Sequence, residues 1–193
     1  MKNLLALFRR FVGQKPRTLT LVLYFITPLA FADSLPICYQ YGCKIEKNIE
    51  IPRAVLTQLE GYFVAVQNPE QERHAVALAV QALSLFAANL TPIGADKGGN
   101  FHDGTAIGRM DCIDHSTNTT TFLTYLVQHK LLRFHQVGKK VFRAPWILNS
   151  HYAAQLVEID SGAAWAVDTW FKDFGELAVI VPYELWRSGY EPN

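Results

Sequence analysis

The sequence predicts an α+β fold, in which helices come first and a mainly antiparallel sheet follows. Two observations support this class. Apolar residues recur at helical spacing from residue 52 to about residue 90, and again after residue 112. After residue 132 the pattern changes to short apolar runs separated by turn residues, which is typical of strands. Helices and strands that are segregated along a chain pack as α+β layers.

One strand and two helices are predicted in the first half of the domain. Residues 36–51 alternate between isoleucines and polar residues, which indicates an opening strand. Pro52 begins a helical stretch. Asn68-Pro69-Glu70 combines an N-cap with a proline at the first helical position, and the helix that it begins runs to about Leu90. Thr91-Pro92 ends this helix.

A glycine-rich polar loop, residues 93–111, precedes a third helix that runs from about Cys112 to Leu132. A loop of this length in a compact domain is usually functional or disordered. Residues 116–121, near the start of the third helix, are poor helix formers. We therefore expect tertiary packing to stabilise that part of the helix.

The predicted sheet occupies the last third of the chain. Gly138-Lys139-Lys140 predicts a hairpin turn between two short apolar runs. Residues 151–159 and 164–171 form two further strands, joined through Asp160-Ser161-Gly162. Residues 177–181 form a last short strand, which Pro182 ends.

The first 32 residues resemble an export signal. They contain five basic and no acidic residues, and an apolar run from Leu19 to Phe31 ends in Ala-Phe-Ala before Asp33. This order is typical of a cleaved signal peptide, and the run is too short for a comfortable membrane span. The alternative is an uncleaved N-terminal anchor. We expect one domain, residues 33–193, that is periplasmic or secreted.

The charge of that domain excludes one class of partner. Without residues 1–32 the chain has 13 basic and 17 acidic residues, a net charge of −4. A mildly acidic domain lacks the basic surface that nucleic acids require. We expect no nucleic-acid partner, and contact with a membrane only if the leader stays uncleaved.

Three cysteines remain after export, at positions 38, 43 and 112. Cys38 and Cys43 flank a short segment in which Gly42 lets the chain turn back, so a small disulfide between them suits an oxidising compartment. That pairing leaves Cys112 as an odd thiol. The alternatives are that Cys112 is an inert core residue, or that it pairs with one of the other two cysteines.

Cys112 has the residues around it that a nucleophile needs. The first turn of a helix carries unpaired N–H groups and a partial positive charge, which favour a thiolate. His151 begins a strand, and Asp168 lies 17 positions later on the next strand. A carboxylate among tryptophans is costly to bury without a partner, and the ring N–H of His151 would supply one. We predict a catalytic constellation of Cys112, His151 and Asp168.

Strand parity provides a check on this constellation. A four-residue loop at 160–163 would pair Ile159 with Ala164 and His151 with Lys172, which places His151 and Asp168 on one face. It would also leave Asp168 four residues from the partner of His151. A bulge or a shifted loop is therefore expected.

Three short segments resemble the transglutaminase-like superfamily, and most closely the bacterial transglutaminase-like cysteine proteinases, which have a papain-like fold. They are Asp111-Cys112-Ile113-Asp114 at a helix start, His151-Tyr152-Ala153 at a strand start, and Trp165-Ala166-Val167-Asp168 on the next strand. The resemblance covers residues 104–171. It implies that Cys112 is the nucleophile, His151 the general base and acid, and Asp168 the residue that orients His151.

Two positions depart from the family pattern. Tyr152 follows the histidine, where the superfamily often has a small residue, and Ile113 stands where the proteinase subgroup usually has an acidic residue. We therefore do not expect the calcium binding of some relatives. The side chains available to an oxyanion hole are those of Asn100, Asn118 and Gln155.

Together these features predict an exported cysteine-dependent amide hydrolase or acyl transferase that needs no cofactor or metal. Its substrate would be a protein, a peptide or peptidoglycan, and a peptidoglycan-directed amidase or peptidase is one alternative. A non-catalytic exported interaction domain on the same fold is another. Cys112-x-x-His115 could also suggest zinc, but no second such pair exists and zinc sites usually need four ligands.

Overall fold

An antiparallel hairpin opens the domain in the computed structural model, which describes residues 33–99, 106–145 and 150–192. Strand β1 (Asp33–Tyr39) pairs with β2 (Ile45–Ile51), with Asp33 opposite Ile51 and Tyr39 opposite Ile45. The predicted single strand is therefore two strands. The turn lies at residues 40–43, where Gly42 was expected to let the chain turn back, and all four residues have a left-handed φ.

Three main helices follow the hairpin. They are α1 (Arg53–Phe63), α2 (Pro69–Ala88) and α3 (Cys112–Gln128), with a short 3-10 turn at Pro92–Ala95. The predicted N-cap of α2 is confirmed, since the Asn68 side chain accepts a hydrogen bond from the Gln71 backbone. Helix α3 ends four residues earlier than predicted, because Lys130 has a left-handed φ of 58° and stops the helix.

The sheet contains five strands, all antiparallel to their neighbours. The strands are β3 (His135–Val137), β4 (Val141–Arg143), β5 (His151–Glu158), β6 (Ala164–Asp168) and β7 (Val179–Pro182), and a short helix, α4 (Tyr183–Arg187), comes after the last strand. Strands β3 and β4 both lie along one edge of β5, and β6 and β7 follow on its other side. The α+β prediction is confirmed.

The predicted hairpin turn at residues 138–140 is wrong. Val137 pairs with Leu156 and Val141 pairs with Ala153, so β3 and β4 are two parts of one bent edge along β5. Three residues between the parts therefore lie opposite two residues of β5, which is a bulge rather than a reversal. A Cβ at position 138 would lie against the end of the Gln155 side chain, so a larger residue there would require that flexible side chain to move.

The two faces of the sheet bury different clusters. One face packs against α2 and α3 in the main core, to which Leu126, Leu156 and Val167 belong. The other face carries a small cluster under α4, made by Val141, Ala153, Ala166 and Trp186. His151 and Asp168 lie on this second face, because cross-strand partners share a face and side chains alternate along each strand.

The described residues belong to one compact unit, residues 31–193. Among the helices of this part, none has the length and apolar content that crossing a membrane requires. The predicted leader, residues 1–32, lies outside the described residues.

A buried glutamate joins α2 to the start of β3. Glu72 accepts hydrogen bonds from the backbone N–H groups of Arg133 at 2.7 Å, Phe134 at 2.9 Å and His135 at 2.8 Å, and from His135 Nδ1 at 2.9 Å. Burial alone would raise the pKa of Glu72, but the hydrogen bonds from His135 and from the backbone outweigh it and hold the pKa below its ordinary value.

We predict that Glu72→Gln lowers the free energy of unfolding by about 2–3 kcal/mol, because an amide leaves buried N–H groups without a charged acceptor. The contribution of Glu72 is present at neutral pH and is lost as the pH falls through its lowered pKa. Urea unfolding at neutral and acidic pH measures both effects. Glu70→Gln, on the exposed side of the same helix turn, should change stability by less than about 0.5 kcal/mol. Equal losses in the two variants would contradict this account.

Candidate active site

His151 and Asp168 form a buried hydrogen-bonded pair. His151 Nε2 lies 2.7 Å from Asp168 Oδ2, and the two residues are 3 % and 2 % exposed. Ala154 pairs with Val167, so position 151 lies across from position 170, and Asp168 is its diagonal neighbour on the same face. The predicted shared face is confirmed.

The predicted four-residue loop is wrong, and the shifted loop that the parity argument required is present. Val157, not Ile159, pairs with Ala164, so the connection between β5 and β6 consists of residues 159–163. This shift moves Asp168 two residues nearer to the position opposite His151. The ring and the carboxylate therefore meet without a bulge in either strand.

Asp168 has a hydrogen-bond donor for each of its oxygens. Oδ1 accepts from the Trp170 backbone N–H at 3.0 Å, and Oδ2 accepts from Trp186 Nε1 at 2.8 Å as well as from His151. A carboxylate can be buried when it is hydrogen-bonded in this way. Sequence reasoning missed Trp186, which lies on the last helix, because nothing local to it indicates a polar partner.

Aromatic rings enclose the His151 imidazole. The ring centroids of Trp170, Phe171 and Trp186 lie 4.7, 5.4 and 5.7 Å from that of His151. Arg143, the β4 partner of His151, lies over the Trp186 ring at 4.8 Å and donates to the Trp186 carbonyl at 2.6 Å. Arg143 thus holds Trp186 against the histidine. The enclosure limits the motion of the imidazole and its access to water.

The thiol of Cys112 lies beside the first residues of β5. Cys112 is half-buried and is the first residue of α3, as predicted, and the Tyr152 backbone N–H donates to its sulfur. Along β5, the Gln155 carbonyl bonds on the β3 side and the Glu158 N–H bonds on the β6 side. Since successive residues alternate, the Tyr152 N–H points to the β6 side, beyond the last paired residues of that strand. Cys112 therefore lies near the C-terminal end of β6, where the negative charge of Asp168 raises the pKa of the thiol.

One nitrogen of the His151 ring is left for the thiol. Nε2 is occupied by Asp168, whereas Nδ1 is buried and has no hydrogen-bond partner among the described residues. A buried ring nitrogen without a partner is unusual in a folded protein. It is the position from which the imidazole could accept the proton of Cys112.

The charge state of Cys112 differs from the expectation drawn from its helix position. Burial raises the pKa of the thiol, and the negative charges of Asp111 and Asp168 raise it further, whereas the Tyr152 N–H lowers it. The first two effects outweigh the third. Cys112 is therefore a neutral thiol at rest, and it needs a base to become a nucleophile.

Helix α3 begins with a capping box formed by Asp111 and Asp114. The Asp111 side chain accepts from the Ile113 and Asp114 backbone N–H groups at 3.0 Å each, and the Asp114 side chain accepts from the Asp111 N–H at 3.1 Å. These bonds use two N–H groups of the first turn. The Cys112 N–H, which contacts its own sulfur, is a backbone donor beside the reacting atom that the capping box does not use.

The predicted oxyanion side chains are not brought to the thiol. Asn118 is buried and bonds the Cys38 backbone in both directions, at 2.7 and 2.8 Å. Gln155 lies four residues along β5 from His151, roughly 13 Å away. Asn100 lies outside the described residues. We therefore assign the stabilisation of the oxyanion to a backbone donor, the Cys112 N–H.

His115 is not turned toward Cys112. Its Nε2 lies 2.8 Å from Asp96 Oδ2 and its Nδ1 lies 2.9 Å from Thr169 Oγ1. Within the described ranges, no group of three or more His, Cys, Asp or Glu side chains could hold a metal ion. The arrangement does not favour the zinc alternative.

The predicted disulfide between Cys38 and Cys43 is present, and Cys112 is a free thiol. The alternative pairings of Cys112 are therefore excluded in this structure.

We compared the chain with protein-family models, with curated proteins and with solved structures, and none of the three gave a match. The candidate site is therefore described by its own geometry.

We predict that Asp111→Asn makes Cys112 more reactive. Asparagine keeps an N-cap oxygen but removes a negative charge that raises the pKa of the thiol. The rate of Cys112 alkylation by iodoacetamide at about pH 7.5 should rise about threefold. Asp160→Asn, the same change in an exposed loop, should leave the rate unchanged. A slower rate in Asp111→Asn would show that the charge supports the thiolate instead.

Proposed function

We propose that this chain is a thiol-dependent enzyme that acts on amide bonds, as a hydrolase or an acyl transferase. One observation carries the proposal. His151 Nε2 is bonded to Asp168, its Nδ1 lacks a partner among the described residues, and the half-buried Cys112 thiol accepts a hydrogen bond from the backbone N–H of Tyr152, the next residue along β5. This is the order of orienting group, base and nucleophile that acyl transfer requires.

Each of these residues has a separate role in the reaction. His151 Nδ1 takes the proton of the Cys112 thiol while the sulfur attacks the substrate carbonyl carbon, and the Cys112 N–H stabilises the oxygen that becomes negative. His151 then gives its proton to the leaving amine as the carbon–nitrogen bond breaks, which leaves a thioester. Water attacks the thioester in hydrolysis, and an amine attacks it in transfer. His151 takes the proton of the attacking group and gives it to the sulfur as the carbon–sulfur bond breaks, which restores the thiol and the neutral imidazole.

Asp168 keeps the imidazole in the tautomer that this sequence needs. A carboxylate accepts the Nε2–H, so the lone pair lies on Nδ1, where it can take up the proton of the thiol. When His151 becomes an imidazolium, the adjacent negative charge stabilises it. The raised pKa of Cys112 makes this base necessary rather than optional.

The fold and the order of the three residues support membership of the transglutaminase-like superfamily, with a papain-like core, as part of the same proposal. A cysteine at a helix N-terminus, a histidine at the start of one strand and an aspartate on the neighbouring antiparallel strand follow in the family's order. The Cys38–Cys43 disulfide suits an oxidising compartment, which supports export and a protein, peptide or peptidoglycan substrate.

We expect Cys112→Ala to abolish labelling of the native protein by an iodoacetamide probe, and His151→Asn to slow Cys112 labelling by about 100-fold. Asp168→Asn should slow it less, by about 10-fold or more, because the ring remains but its tautomer is no longer fixed. His74→Asn, an exposed histidine on α2, serves as the control. Labelling is measured between about pH 6 and pH 9 and compared with urea-unfolded protein.

One outcome would reverse the assignment, and another would narrow its substrate. Labelling that is equal in His151→Asn and the wild type would favour a non-catalytic interaction domain with an inert thiol. Release of muropeptides from purified sacculi, without cleavage of unfolded protein or peptide amides, would assign the site to peptidoglycan. The peptidoglycan assignment also requires that Cys112→Ala abolish this release.

A further inference from the structure

The disulfide closes a loop whose backbone conformation is unfavourable by itself. Residues 40–43 all have positive φ: 75° at Gln40, 62° at Tyr41, 68° at Gly42 and 55° at Cys43. Non-glycine residues in this region cost roughly 1–2 kcal/mol each. A loop with three such residues persists only where other interactions hold it.

Those interactions lead directly to the helix that carries Cys112. Cys38, at the loop's start, exchanges two backbone hydrogen bonds with the buried Asn118 side chain. At the loop's end, the Cys43 N–H donates to Asp114 Oδ1 at 2.6 Å. Both ends of the loop are thus bonded to the first two turns of α3.

The loop also contacts the segment that enters α3. The Gln40 N–H donates to the Arg109 carbonyl at 2.8 Å, and the Gly108 N–H donates to Gln40 Oε1 at 3.3 Å. Gly108 itself has a φ of 89°, and a Cβ there would overlap the Pro92 carbonyl. Residues 108–118 are therefore fixed on one side by the disulfide loop.

Asp114 connects the loop to the first turn of α3. Its carboxylate accepts the Cys43 N–H on one oxygen and the Asp111 N–H on the other, and its side chain is fully buried. Burial raises the pKa of Asp114 to about 6, while the two backbone hydrogen bonds lower it. Loss of the Cys43 bond would remove one of the two groups that stabilise the buried charge.

From these contacts we infer that the Cys38–Cys43 disulfide, through Asp114 and Asn118, is a positioning element of the Cys112 site, and that breaking it makes Cys112 less reactive. This inference rests on the proposed function. Reduction by a dithiol transfers two electrons and two protons to the protein disulfide, which gives two protein thiols and a cyclic disulfide of the reagent. The loop residues then leave the left-handed region, and the first turn of α3 loses its bond to Cys43.

The expected effect of a reductant on the reactivity of Cys112 is the opposite of its effect on an ordinary thiol enzyme. A reductant normally preserves or restores a catalytic thiol, since oxidation is what inactivates it. Here the same reagent keeps Cys112 reduced but releases the loop that orients its helix. Reduction should therefore slow the reaction of a thiol that is itself unchanged.

The test measures Cys112 alkylation by iodoacetamide in the full chain, with peptide mapping to separate it from Cys38 and Cys43. Three forms are compared: the oxidised wild type, the wild type reduced by dithiothreitol and freed of it, and the variant Cys38→Ser/Cys43→Ser. We expect Cys112 to react about tenfold more slowly in the last two. Reoxidation should restore the rate in the wild type only. Hydrogen exchange of the 112–116 amides should become faster as the rate of Cys112 alkylation falls.

Asp114→Asn provides a variant in which the disulfide is intact. It should slow Cys112 alkylation and accelerate exchange at 112–116, and Asp160→Asn should do neither. If the double serine variant unfolds, as circular dichroism would show, Asp114→Asn decides the question. A wild-type rate in Asp114→Asn, or an unchanged rate after verified reduction, overturns the inference.

Failure of this inference is distinguishable from failure of the proposed function. If alkylation of the oxidised wild type does not depend on His151, the proposed function fails. If it depends on His151 and survives reduction unchanged, only the role of the disulfide is wrong.

Discussion

The position of the nucleophile depends on buried polar contacts along the first half of α3. Asp114 bonds the disulfide loop, His115 bonds Asp96 and Thr169, and Asn118 bonds the Cys38 backbone. Thr169 directly follows Asp168, so the His115 contact joins the helix of the thiol to the strand of the carboxylate. This part of α3 has low helix propensity, and the hydroxyls of Ser116, Thr117 and Thr120 bond carbonyls within the helix. Specific bonds, rather than intrinsic preference, keep Cys112 in place.

A second requirement is that the buried pair of His151 and Asp168 keeps its hydrogen bonds. The cost of burying the Asp168 carboxylate is offset because Trp186, Trp170 and His151 all donate hydrogen bonds to it. Trp186 in turn is held by Arg143, which also donates to the Tyr190 carbonyl at 2.8 Å. The last part of the chain therefore belongs to the site, although the family resemblance ends at residue 171. Trp186 thus has two roles, since its ring encloses His151 and its Nε1–H satisfies the Asp168 carboxylate.

Local signals predicted the features whose causes are local. The α2 cap at Asn68, the α3 start at Cys112, the short disulfide and the shared face of His151 and Asp168 all follow from spacing and residue type. Long-range pairing was not predictable in this way. The glycine-lysine segment at 138–140 has the composition of a turn, but both flanking strands pair with β5 instead of each other. His135 is a buried strand residue whose partner, Glu72, lies 63 positions away, and no residue near either of them in the sequence indicates this pairing.

Two alanines on the face of the sheet beneath Trp186 are positions at which a substitution could disrupt the site without changing a catalytic residue. Ala153 and Ala166 lie under the indole, are 1 % and 0 % exposed, and belong to the same small cluster. Protein interiors are close-packed, so a larger side chain at either position has to displace its neighbours. A bulkier residue there would lift the indole away from the carboxylate and weaken the site while leaving thiol, imidazole and carboxylate intact in the sequence. An inactive relative of this kind would be recognised by the replacement of one of these alanines, since its catalytic residues would be unchanged.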